Sequence, residues 1–103
     1  MFRQQVRFVL LFGVAADFAR VTDRLAELER ERRWTVQRIW RPQTGRRNEV
    51  VVEHDYEDEA AYRAQTDAYV AAGADDEFTT LLAELAQLLV PGSAEEAHLV
   101  EQR

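Results

Sequence analysis

The order of the patterned segments constrains this chain most: strand, helix, strand, strand, two helices, strand. Two β-α-β units in succession, joined by connections too short to hold another domain, predict an antiparallel sheet of order 4-1-3-2 with its helices on one face. One domain over residues 1–103 accommodates all of it.

Residues 4–12 are rich in β-formers. Val6, Phe8, Leu10 and Phe12 alternate on one face while Val9 and Leu11 make the other partly apolar, so both faces need burial. Gly13 breaks the run, and Asp17 is the expected cap of a helix carrying Val14, Phe18, Val21, Leu25 and Leu28 at steps of four and three, ending near Arg32. Two alternating runs, 34–40 and 49–56, flank a polar segment punctuated by Pro42 and Gly45, which predicts a hairpin. Asp58 opens a second helix with the stripe Ala61, Tyr62, Gln65, Ala68, Tyr69 and Ala72, and Gly73 stops it. Asp75 or Asp76 caps a third, carrying Phe78, Leu81, Leu82, Leu85, Leu88 and Leu89, before Pro91 and Gly92 lead into a short strand near 97–101. The expected class is α+β, a ferredoxin-like split β-α-β fold with an extra helix before the last strand.

The even strand positions (Val6, Phe8, Leu10, Val36, Trp40, Val50, Val52) suit the helix-covered face. The odd positions include Val9, Leu11, Ile39, Val51 and Leu99, which a monomer of this size leaves wet. Pairing two sheets face to face buries them, so a homodimer through the sheet faces is expected.

Charge is unevenly placed. Residues 1–50 carry eleven arginines against six acids, and residues 51–103 carry two against thirteen, for a net charge of -6. Seven arginines fall between Arg30 and Arg47, a cluster suited to phosphate or to the acidic half of a second subunit, or simply a solvated hairpin. No cysteine is present, which removes disulfides, thiolate metal sites and thiol nucleophiles. No apolar run approaches the roughly 20 residues that span a bilayer. No signal-peptide pattern is recognised at the N-terminus, and the expected location is cytoplasmic, with no membrane partner.

Several local runs carry a family resemblance. These are residues 13–18 (Gly13 to Phe18) after the first strand, 45–53 (Gly45 to Glu53), 56–62 (Tyr56 to Tyr62), 76–78 (Asp76 to Phe78) and 89–93 (Leu89 to Ser93). In order and spacing they resemble bacterial NIPSNAP-type proteins of the dimeric α+β barrel superfamily, over nearly the whole chain. The resemblance implies a homodimer whose two sheets form a barrel, in a superfamily that includes cofactor-independent monooxygenases, haem-dependent enzymes and isomerases. Phe8, where a tyrosine is usual, and the extra residues before Asp75 depart from that pattern.

The candidate chemistry is sparse. His54 and His98 lie on strands flanking the first, about 10 Å apart at two interstrand spacings, too far to share a metal easily; no metal and no cofactor are expected. His54 is the candidate general base, its alternative being a polar residue at a strand end. Arg38, Trp40, His54, Tyr62 and Tyr69 are the candidate ligand-binding set, lining one cavity between helices and sheet. Such a cavity suits a small aromatic, anionic or phenolic molecule. The alternative is core aromatics with Arg38 paired to an acid. Phosphate loops, nucleophile elbows and zinc-protease motifs are absent, and the third strand lacks an RNA-binding pattern, so no nucleic-acid partner is expected. Two functional readings follow: a barrel dimer serving as a small-ligand or protein interaction module, or a cofactor-independent monooxygenase or related enzyme acting on an aromatic or polyketide-like compound.

Overall fold

The structure, a computed structural model, describes residues 1–102. Its elements are β1 (Phe2–Val9), α1 (Ala15–Glu31), β2 (Arg38–Trp40), β3 (Glu49–Tyr56), α2 (Glu59–Ala72), α3 (Glu77–Ala86) and β4 (Glu95–Val100). The sheet is antiparallel, of order β2-β3-β1-β4, the expected order read from the other edge.

Burial follows strand parity. Phe2, Phe8 and Leu10 from the first strand region and Val50, Val52 and Tyr56 from β3 are buried on the helix-covered face. Phe18 of α1 packs into this layer, joined at its edge by Val14, Leu85, Leu88 and Leu89. A second cluster, Val21, Leu25, Leu28 and Leu81, joins α1 to α3. The α1–α3 contact is clamped on its wet side by Arg24, which donates to both carboxylate oxygens of Glu77 at 2.7 and 2.9 Å, and by an Arg20–Glu84 pair.

The expected helix limits need two corrections. Helix α3 ends at Ala86, so Leu88 and Leu89 lie beyond it, Leu89 in a bridge opposite Leu10. Asp17 does not cap α1; Val14 holds the N-cap position without a side-chain bond, and Asp17 sits in the first turn, where a negative charge favours the helix dipole. The other two caps form as read: Asp58 accepts from the Ala61 N–H at 2.8 Å, and Asp76 from the Phe78 N–H at 3.0 Å. Gly73, at φ 87°, adopts the left-handed region that ends α2.

The C-terminus of α1 is more consequential. Arg33 takes φ 58°, its N–H donating to the Arg30 carbonyl at 3.1 Å, while the Trp34 N–H donates to the Glu29 carbonyl at 2.8 Å. These are the two bonds of a Schellman motif, with arginine where glycine is commoner. The motif turns the chain back over the end of α1 and delivers Trp34 to Gln37 alongside Glu29.

That segment is not strand, contrary to the expected run over 34–40. Two of its N–H groups are taken by side chains: Thr35 donates to Gln65 Oε1 at 2.9 Å and Gln37 to Glu29 Oε1 at 3.1 Å. Only Arg38–Trp40 reaches β3, and its register differs by one residue from a turn symmetric about Gly45. Arg38 lies opposite Glu53, Ile39 opposite Val52 and Trp40 opposite Val51. A shift of one residue exchanges the faces. Ile39 therefore belongs to the helix-covered side, and Arg38 and Trp40 to the open one.

Candidate active site

A cavity of about 340 Å3 lies between α2, the sheet and the α1–α3 pair. It exists because α2 stands off the core: none of its residues is fully buried. Tyr62, Gln65, Thr66 and Tyr69 descend from α2; Val6, Val52, His54 and Tyr56 rise from the sheet; Trp34 and Phe78 close one end. The aromatic walls brace one another. Phe78 meets Trp34 edge-on at 5.2 Å and Tyr69 at 5.7 Å, and Tyr62 meets Tyr56 at 5.3 Å. Outside this end, the Arg32 guanidinium lies 4.9 Å from the Trp34 ring and donates two bonds to Asp76, at 2.7 and 2.8 Å, which hold that carboxyl below its usual range.

The polar centre of the cavity is a pair that the charge pattern did not reveal. Glu29, 1% exposed, places Oε2 at 2.6 Å from His54 Nε2. Its other oxygen accepts the Gln37 N–H, and Gln37 is itself anchored by donating from Nε2 to the Thr22 carbonyl at 2.8 Å. A buried carboxylate needs such acceptor roles filled, and here both oxygens have partners. The ring of His54 makes no other bond among the described residues, so Nδ1 has no partner among them. Beside it, burial, together with the charge of Glu29, pushes the Tyr56 phenol up to about 12.

No protein-family model matches the chain, and no curated protein matches it in sequence. Solved structures do match in fold. An uncharacterized NIPSNAP domain protein from Burkholderia xenovorans superposes with TM-score 0.74 at 19% identity, over 99% of this chain and 95% of that one. A nipsnap family protein of unknown function from Agrobacterium tumefaciens gives 0.71 at 18% identity, over 96% and 86% of the two chains. The chain has the fold of a NIPSNAP domain protein. SnoaB, a cofactor-independent oxygenase from Streptomyces nogalater, shares it with TM-score 0.71 at 19% identity, over 99% and 93%.

Within this NIPSNAP-type fold the expected ligand-binding set divides. His54, Tyr62 and Tyr69 line the cavity; Arg38 and Trp40 do not. The register places those two on the open sheet face, where Arg38 pairs with Asp55 at 2.5 Å and the Trp40 indole N–H donates to Glu53 at 2.8 Å. Arg3 donates to the same Asp55 through Nε at 2.7 Å, and this bond lowers the carboxyl's pKa. Burial opposes ionisation of Glu53, 6% exposed, but bonds from Gln5 and Trp40 with the nearby Arg3 and Arg38 outweigh it and lower its pKa as well. With Arg38 on the other side of the sheet, no arginine among the described residues lines the cavity, and the expected affinity for an anionic ligand loses the cation it was read from.

The histidines flank β1 as expected. Both lie opposite Gln4, one on each side, and the β4 residue, His98, has Glu96 at 3.1 Å and the Tyr62 hydroxyl at 3.4 Å as its polar partners among the described residues. Among the described residues no group of three His, Cys, Asp or Glu side chains is gathered tightly enough to hold a metal ion. None of the helices among the described residues is long and apolar enough to cross a membrane.

Glu29 had a signal in the sequence. Thr22 and Glu29 stand seven residues apart on the apolar stripe Phe18, Val21, Leu25 and Leu28, so helical spacing alone turns both inward. Tyr56 shares the parity of His54 and Val52.

Proposed function

We propose that the protein binds a planar phenolic or keto-aromatic small molecule in this cavity and that His54, oriented by Glu29, removes a proton from it. The observation that carries this is the 2.6 Å His54–Glu29 contact, with the carboxylate buried, at the wall of an otherwise largely aromatic and aliphatic cavity. A carboxylate acceptor at Nε2 fixes the ring proton there and leaves the Nδ1 lone pair free, the arrangement of a general base. Removing a proton from a phenol or an enolisable ketone produces an electron-rich anion, the species with which dioxygen reacts without a cofactor. Oxygen transfer of the kind named for the Streptomyces structure is thus the reaction class that fits the site. A closed core would have favoured a plain protein interaction module; the open cavity favours a ligand.

The proposed assembly is a homodimer through the open sheet face, supported by the half-buried Val9 and Val51, the exposed Leu99 and Trp40, and the self-paired charges among them.

Binding is read through Trp34, which lines the cavity, in a Trp40→Phe background that silences the open face. Naphthol is expected to quench Trp34 saturably. At about a hundredfold excess over Kd it should stabilise the fold by about 2.7 kcal/mol. Unchanged fluorescence and melting temperature across the titration would remove the ligand reading.

A further inference from the structure

Tyr56 is 94% buried by its 6% exposure, yet its hydroxyl bonds to no described side chain or backbone group. No fully enclosed polar side-chain atom lacks a partner among the described residues, so the oxygen is accessible rather than sealed in the core, and Tyr56 is one of the residues that line the cavity. An accessible phenol hydroxyl with no partner in the protein is free to donate to an oxygen of a ligand.

Its placement is specific. Tyr56 follows His54 by two residues on β3, on the same face, with ring centres 6.5 Å apart and planes 25° from parallel. That separation is within the span of a fused two-ring aromatic. The other cavity phenols are placed differently: both Tyr62 and Tyr69 are only half-buried on α2, and the Tyr62 hydroxyl already faces His98.

We propose that the Tyr56 hydroxyl is the donor that recognises a carbonyl or phenolic oxygen of the ligand, so that the cavity selects aryl ketones and phenols over hydrocarbons of the same shape. This rests on the cavity being the ligand site. The phenol stays protonated through the neutral range, because burial and Glu29 oppose its ionisation. It therefore donates to a neutral carbonyl and, more strongly, to the oxyanion formed when His54 takes the proton. The two side chains then divide the work: one addresses the acidic hydrogen, the other the oxygen that receives the electron pair.

The test compares acetonaphthone with ethylnaphthalene, near-isosteres differing in the oxygen, by Trp34 quenching in the wild-type cavity and in Tyr56→Phe. The wild type is expected to prefer the ketone by roughly five- to tenfold, the weight of one hydrogen bond. Tyr56→Phe should bind both alike, with ethylnaphthalene affinity and unliganded melting temperature unchanged, since the lost hydroxyl bonds nothing in the protein. A ketone preference that survives in Tyr56→Phe, or equal affinities in the wild type, overturns the assignment of Tyr56 and leaves the cavity reading standing. Binding of neither compound to the wild type overturns both.

Discussion

Glu29→Leu is expected to destabilise the fold by about 3 kcal/mol, the cost of leaving buried donors unsatisfied where a carboxylate accepted them. Leucine fills the space but accepts nothing. It strands the Gln37 N–H and the Nε2 side of His54, and so loosens the segment from Trp34 to Gln37 that forms one wall of the cavity. Glu29→Gln keeps an acceptor for the Gln37 N–H and should cost clearly less. Urea denaturation of the three proteins measures the difference; a Glu29→Leu midpoint equal to that of the wild type would show that the pair contributes nothing to the fold.

Val51→Asp is expected to convert the proposed dimer to monomer. Val51 lies opposite Arg7 on one side and Trp40 on the other, at the middle of the open face, and aspartate there would sit between Glu49 and Glu53 on the same strand face. Like charges in one row repel, the Arg7 opposite is already paired with Glu49 at 3.2 Å, and the added carboxylate resists the dehydration that sheet-on-sheet packing requires. The wild type should bury more than about 1,200 Å2 in total at this interface. Light scattering at micromolar concentration reads the outcome, with Gln87→Asp, at an exposed position after α3, as the control that leaves the dimer intact. A wild-type monomer, or a Val51→Asp dimer as stable as the wild type, would contradict the assignment of this face.

The sheet order was legible because apolar period changed cleanly from two to three and four residues, and because Gly73 and the acidic caps Asp58 and Asp76 marked their helix ends. What failed was local. Whether Arg38 faces helices or open sheet depends on half a residue in the centre of an eight-residue turn, and the Trp34 to Gln37 segment leaves the ladder only because the distant Glu29 and Gln65 take its N–H groups. Long-range acceptors leave no mark in a strand's own pattern. The site was half legible for the same reason. His54, Tyr62 and Tyr69 followed from parity and helical spacing, whereas Glu29 looked like one acid among the solvated acids of α1 until its place on the apolar stripe was set beside Thr22.

The central claim is that His54 works as a base inside this cavity, and the ring opening of nitrobenzisoxazole tests it most directly. In that reaction a base takes the ring C–H proton, the released pair forms the nitrile as the N–O bond breaks, and the opened ring is a coloured cyanonitrophenolate, with no cofactor and no oxidant. The wild type is expected to exceed free imidazole at equal concentration by on the order of 10²-fold, and His54→Gln, folded by circular dichroism, to fall to background. A wild-type rate no greater than that of imidazole, or a rate undiminished in His54→Gln, would contradict it.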